Sequence, residues 1–130
     1  MTMLVTGAAG HVGNNLIRTL TTQGHDVRAF IYRDTRALAD LDVEKFHGNL
    51  LDPESVRRAV DGCETVFHTA AEVDLLSGSK KSMYRVNVDG VRNMTRACKD
   101  AKVKRFVHFS SNHALKQQPV DTPLDETRPL

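Results

Sequence analysis

The segment TGAAGHVG at 6–13 restricts the possible folds of this chain more than any other part of it. It follows a short apolar run, MLVT at 3–6, and opens a stretch in which Val12, Leu16, Ile17 and Leu20 recur at helical spacing. A strand that turns directly into a helix through Gly7, Gly10 and Gly13 is the sequence pattern of a phosphate-binding turn. One glycine permits the tight turn, one lets backbone approach a pyrophosphate, and one lets the helix pack closely on the strand. The helix opening near His11 and Val12 then aims free N–H groups and its positive dipole end at the anion. The spacing is G-x-x-G-x-x-G rather than G-x-G-x-x-G, so the position between strand and amphipathic helix carries as much of the reading as the glycines do.

Downstream the same alternation repeats. Residues 26–32 (DVRAFIY) predict a second strand, and 43–47 a weaker third one closed by Gly48. Asp52 followed by Pro53 is a helix start, an N-cap oxygen and then a residue whose missing N–H costs nothing in the first turn. That helix should reach Val60 and end at the turn Asp61-Gly62. Residues 65–69 (TVFHT) predict the fourth strand, and a small-residue loop leads to a long helix at about 80–99. Its expected inner stripe is Tyr84, Val88, Val91, Thr95 and Cys98. Residues 105–109 (RFVHF) predict the fifth strand, before Ser110 and Ser111. Strands alternating with helices imply an α/β fold, a doubly wound parallel sheet of Rossmann type. Right-handed crossovers favour the strand order 3-2-1-4-5. A dinucleotide-binding domain is expected over 1–111, and a polar loop or tail over 112–130.

Composition narrows the classes further. Net charge is +2 with the basic residues scattered, which argues against a nucleic-acid surface. No apolar run approaches the ~20 residues of a membrane span, and the first residues lack the basic and apolar regions of a signal peptide. Cys63 and Cys98 have neither C-x-x-C spacing nor partners for a disulfide framework, and free thiols suit a cytoplasmic location. The histidines lack metal-ligand spacing, although His68 and His108 should lie on neighbouring strands. No metal site is expected.

Taken in order, TGAAGHVG at 6–13, HGNLLD at 47–52, VFHTAA at 66–71, VNVDG at 86–90, KRFVHFSS at 104–111 and DET at 125–127 resemble the N-terminal part of an extended short-chain dehydrogenase/reductase. That group includes dihydroflavonol reductases and nucleotide-sugar epimerases, and the resemblance runs through essentially the whole chain. It implies that Gly48, Asn49 and Leu50 flank an adenine, with Asn49 standing where relatives usually carry Asp. An amide carbonyl can still accept from the adenine amino group. It also implies that Thr69, Ala70 and Ala71 line the groove beside the ribose and phosphates. A carboxylate at the end of the second strand grips the ribose of NAD, whereas arginine accommodates the 2′-phosphate of NADP. Tyr32 is followed here by Arg33, with Arg36 three residues on, which favours NADP(H) over NAD(H). Asp34 complicates that preference, since it could turn toward the ribose.

The resemblance places a catalytic serine at Ser111, after the fifth strand, where it would hydrogen-bond the substrate oxygen. Relatives pair it with Tyr-x-x-x-Lys, and here Arg36 and Val88 stand four residues after Tyr32 and Tyr84. The expectation is therefore a chain truncated before the catalytic helix, inactive alone. Its full-length parent would be a carbonyl reductase or nucleotide-sugar epimerase/dehydratase working by hydride transfer. The alternative is a non-catalytic dinucleotide-binding or sensing module. An uncovered fifth strand and long helix would also favour a homodimer through that side.

Overall fold

The computed structural model describes residues 1–73 and 80–130. Five strands form one parallel sheet: β1 (Thr2–Thr6), β2 (Asp26–Ile31), β3 (Glu44–His47), β4 (Cys63–His68) and β5 (Arg105–His108). Their order is β3-β2-β1-β4-β5, as the alternation and crossover handedness require. Helix α1 (His11–Thr22) covers one face, packing Ile17 and Leu20 against Val5, Val27, Ala29 and Ile31. Among the described residues three α-helices follow it: α2 (Pro53–Val60), the short α3 (Lys80–Tyr84) and α4 (Gly90–Asp100). Of these, α2 and α4 cover the other face, over Leu4, Phe30 and Val66. The fold is a Rossmann-type doubly wound sheet.

Local chemistry sets the element boundaries. Asp52 caps α2 by accepting from the Glu54 N–H at 3.1 Å, with Pro53 in the first turn. Strand β2 stops at Ile31, one residue short of the sequence expectation, because Tyr32 is already 59% exposed beyond the sheet. Strand β4 instead starts two residues earlier than expected, at Cys63, with a register irregularity beside Thr2 and Met3. Strand β5 ends at His108, although Phe109 N–H still bonds the His68 carbonyl at 3.0 Å.

The long helix departs most from expectation. It is built from α3, a π-helical turn (Arg85–Asp89) and α4, and its buried residues are Gly90, Met94, Ala97 and Cys98. Of the predicted stripe only Cys98 is buried; Val88 and Val91 are half-buried, and Tyr84 and Thr95 are exposed. The inward stripe of α4 sits one residue earlier than predicted because the helix crosses the loop after β3 at Gly90, where a Cβ would meet the Leu50 Cβ at 3.2 Å. Close approach, not side-chain size, selects the inward face. The small-residue loop expected to precede this helix lies partly at 74–79, outside the described residues.

On the edge side of the sheet, Arg28 of β2 ties three elements together. Its Nη1 donates to the Ala59 and Asp61 carbonyls at 2.7 and 2.8 Å, and its Nε lies 2.8 Å from Glu44 Oε2 of β3. These carbonyls end α2, and their other donor is the weak Cys63 thiol. Hydrogen bonds to a charged group contribute about 1.5–3 kcal/mol. Arg28→Met, which keeps the apolar stem, should cost about 2 kcal/mol, read as a lower urea midpoint with unchanged m-value. An unchanged midpoint would show the ion pair to be dispensable.

Beyond β5 the chain forms a short 3-10 turn (Asn112–Ala114) and then no regular element. The tail folds on itself: Lys116 N–H bonds the Pro129 carbonyl, and the Arg128 guanidinium donates to Lys116, Pro119 and Thr122 carbonyls. Among the described residues β5 pairs only with β4.

Candidate cofactor-binding site

The C-terminal ends of β1 and β4 meet where the chain reverses its direction of travel across the sheet, the place where open α/β sheets bind ligands. Gly7 leaves β1 with φ +65°, a conformation disfavoured for side-chain-bearing residues, and the Gly10 N–H closes the turn on the Gly7 carbonyl at 2.9 Å. A Cβ on Gly7 would sit 2.8 Å from Ala70 N and Thr69 Oγ1, and one on Gly13 would overlap the Gly7 carbonyl. The loop is thus packed down to bare backbone. Helix α1 begins at His11 with Gly10 as N-cap, no side-chain cap and no acid in the first turn. Among the described residues its leading N–H groups have no partner.

Around this turn the strand ends expose large apolar side chains. Val12, Tyr32, Val73 and Phe109 are 49%, 59%, 73% and 43% exposed, and all lie at the sheet's C-terminal end. A rim of this kind suits a ligand with flat, partly apolar parts.

The residues picked out by sequence fall into three groups. Gly7, Gly10, His11, Val12 and Gly13 form the turn and helix start as expected. Thr69, Ala70 and Ala71 follow β4 directly; the Thr69 hydroxyl donates to the Thr6 carbonyl at 2.6 Å, and its Oγ1 lies against the glycine turn at Gly7 and Gly13. Asn49 and Leu50 lie after β3 on the far side. Asn49 Oδ1 accepts from the Leu51 N–H at 2.9 Å, an Asx turn that uses one lone pair and leaves the other. Leu50 is buried against Gly90, and its carbonyl accepts from Asn93 Nδ2.

At the end of β2 the two arginines differ. Arg33 stacks over the Tyr32 ring at 4.6 Å and donates to its hydroxyl. Arg36 forms a bidentate pair with Asp34 at 3.0 and 2.7 Å, and that guanidinium holds the Asp34 carboxyl down at about 2. Asp34 therefore faces Arg36. Ser111 is exposed after β5; its Oγ accepts from the His113 N–H at 3.2 Å and donates at 3.5 Å to Asn112 Oδ1. Among the described residues no cluster of three metal-ligating side chains exists, and no helix is long and apolar enough to cross a membrane.

Sequence reasoning passed over two features. Asn87, in the π turn, clamps the loop after β4: its Oδ1 accepts from the Glu72 N–H at 2.8 Å and its Nδ2 donates to the Glu72 carbonyl at 2.9 Å. Ser82 bonds the Glu72 carboxylate from the preceding turn. An Asn inside a helix is the available signal, since it favours hydrogen bonds to backbone outside the helix. The second is His68, fully buried beneath this site, with its pKa pushed down to about 4 by burial and then by His108.

A glycine turn feeding a helix at this crevice is the arrangement of a Rossmann-type dinucleotide-binding domain. The sequence model of the NAD dependent epimerase/dehydratase family matches residues 3–130, and the chain belongs to that family. It is 46% identical over 121 residues to sterol demethylase protein B of Methylococcus capsulatus, covering 92% of this chain and 37% of that one. It is 38% identical to a 3 beta-hydroxysteroid dehydrogenase/Delta 5-->4-isomerase of Mycobacterium tuberculosis, with coverages of 98% and 36%. Among solved structures, the UDP-glucose 4-epimerase of Thermus thermophilus in complex with NAD superposes with a TM-score of 0.87 at 29% identity, covering 99% of this chain and 44% of that one. The chain spans little more than a third of the length of these curated relatives.

Proposed function

We propose that these residues hold NADP(H) for a short-chain oxidoreductase of the carbonyl reductase or nucleotide-sugar epimerase/dehydratase type. The observation that carries the reading is the uncapped N-terminus of α1 behind a glycine turn too tight for any side chain. The pyrophosphate would take the α1 N–H groups, and the second lone pair of Asn49 Oδ1 would meet the adenine amino group. When bound, the dinucleotide supplies or accepts the hydride.

Arg33 supports the phosphorylated form. It is exposed at the end of β2, stacked on Tyr32 and not engaged by a carboxylate among the described residues, so its remaining donors suit a 2′-phosphate. Arg36, neutralised by Asp34, contributes less. Ser111, exposed and donating only a long 3.5 Å bond to the neighbouring Asn112 Oδ1, would exchange that acceptor for the substrate oxygen. The partner Tyr-x-x-x-Lys does not occur in these residues, so the role proposed for them is to hold the cofactor and position substrate.

Calorimetric titration tests the assignment. NADPH should bind at least ten-fold tighter than NADH, a difference of about 1.4 kcal/mol. Arg33→Ala should remove most of that preference while leaving NADH affinity unchanged, and Arg36→Ala should have the smaller effect. Equal affinities in the unmodified chain would overturn the NADP assignment.

A further inference from the structure

At the C-terminal end of the sheet, one transverse row of residues lies on the face covered by α2 and α4: Phe46, Phe30, Thr6, His68 and His108. Thr6 and His68 are both fully buried, and Thr6 Oγ1 lies 2.9 Å from His68 Nδ1. The same Thr6 oxygen accepts the Ala70 N–H at 3.2 Å, and the Thr6 carbonyl accepts the Thr69 hydroxyl at 2.6 Å. The residue immediately before the glycine turn is therefore bonded three times to the end of β4.

Counting protons fixes the direction of the central bond. Thr6 has one hydroxyl proton, and among the described residues its only acceptor is His68 Nδ1. If Thr6 donates, the buried region holds one unpaired group, the His68 Nε2–H. If the imidazole donates instead, both Nε2 and the hydroxyl proton are left without partners, and each orphan carries a desolvation cost. The arrangement with fewer orphans has His68 neutral, accepting at Nδ1. Thr6 is then oriented with a lone pair toward the Ala70 N–H. Ala70 in turn forms the wall against which Gly7 packs, 2.8 Å from its absent Cβ.

We propose that His68 is a positioning residue for the dinucleotide, acting through the Thr6 hydroxyl and the Ala70 N–H to hold the end of β4 against the glycine turn. His68 does not touch the ligand. It keeps Ala70 packed against Gly7 and so fixes the glycine turn that presents the α1 N–H groups, which hold the pyrophosphate on the reading proposed above. Stacking of its ring on His108 at 5.5 Å and Phe106 at 6.0 Å keeps the imidazole plane in place. The inference rests on that reading of the site.

Side chains that mimic one ring nitrogen at a time provide the test. His68→Asn places an amide oxygen near Nδ1, His68→Gln reaches the Nε2 position instead, and His68→Leu offers no acceptor. NADPH titration into the chain should give His68→Asn an affinity within three-fold of the unmodified protein, and His68→Leu and His68→Gln losses of ten-fold or more. Thr6→Val should lose as much as His68→Leu, and the double variant no more than either alone, because both break one linkage. Independently of nucleotide, the Ala70 amide should exchange at least ten-fold faster in His68→Leu and Thr6→Val, but not in His68→Asn. If His68→Leu does not fold, Thr6→Val and His68→Asn carry both comparisons. Affinity within two-fold for His68→Leu, equal losses in the Asn and Leu variants, or multiplying losses in the double variant would each overturn the proposal. An unmodified chain that binds neither NADPH nor NADH overturns the dinucleotide reading and this role with it; Ala70 exchange that still follows His68 would then leave only a structural linkage.

Discussion

Gly13→Ala should cost about 3 kcal/mol or more and abolish measurable dinucleotide binding. A methyl at Gly13 would overlap the Gly7 carbonyl oxygen, lie 2.8 Å from the Gly7 carbonyl carbon, and press on Thr69 Oγ1 at 2.9 Å. Two of these contacts are backbone, so no rotamer change relieves them. Overpacking into a close contact costs about 1–3 kcal/mol when side chains can yield, and more when they cannot. Either α1 moves off the end of β1, or the Gly7 turn opens; both displace the helix N-terminus from the phosphate position. For a chain of this size that loss lowers Tm by roughly 10 °C. Thr19→Ala, on the exposed side of the same helix, is the control and should stay within about 0.5 kcal/mol. A Gly13→Ala protein that melts with the control would mean that α1 does not approach the glycine turn this closely.

The second large effect is in acid. His68 is fully buried, and burial is the main cause that lowers its pKa to about 4, with His108 adding to it. In the unfolded chain an ordinary histidine titrates near 6.5. Between those values the unfolded state binds more protons than the folded one, so stability rises with pH across that window. The contribution is fully present above pH 6.5, is lost progressively as pH falls toward 4, and amounts to about 3 kcal/mol at one pKa unit per 1.36 kcal/mol. Asp34, Asp40, Glu54 and Asp125, each stabilised as carboxylates by neighbouring donors, also lose stability in acid. They do so equally in a His68→Asn protein, so the difference between the two proteins isolates the histidine. Urea unfolding at pH 7, 6, 5 and 4 should show the unmodified chain losing about 3 kcal/mol relative to His68→Asn. A difference that stays constant over that range would sink the assignment of a neutral buried imidazole.

His68 and Arg36 illustrate why some of the site is not legible along the chain. In the sequence His68 is a histidine at the end of a strand, near another on a neighbouring strand, without metal-ligand spacing and with no role assigned to it. Its role depends on sheet register: Thr6 pairs with His68, 62 residues away, and His68 with His108. Only that pairing brings Nδ1 to the Thr6 hydroxyl. Arg36 reads as equivalent to Arg33 as a phosphate ligand. The backbone after β2 instead lets Arg36 fold back onto Asp34, two residues away, so the two guanidinium groups differ in what they can hold.

Fold class, strand order and the phosphate turn all follow from local patterns in the chain: apolar runs of strand length, helical periodicity, the Asp52-Pro53 start, and glycines where a side chain cannot fit. The inward face of α4 does not, because the phase of that helix is set by the approach of Gly90 to Leu50, which are far apart in the chain. Nor does the clamp of Asn87 on Glu72, or the bond of the Thr69 hydroxyl to the Thr6 carbonyl. In each of these the deciding contact joins residues that only folding brings together, and periodicity carries no information about which distant backbone a side chain will meet.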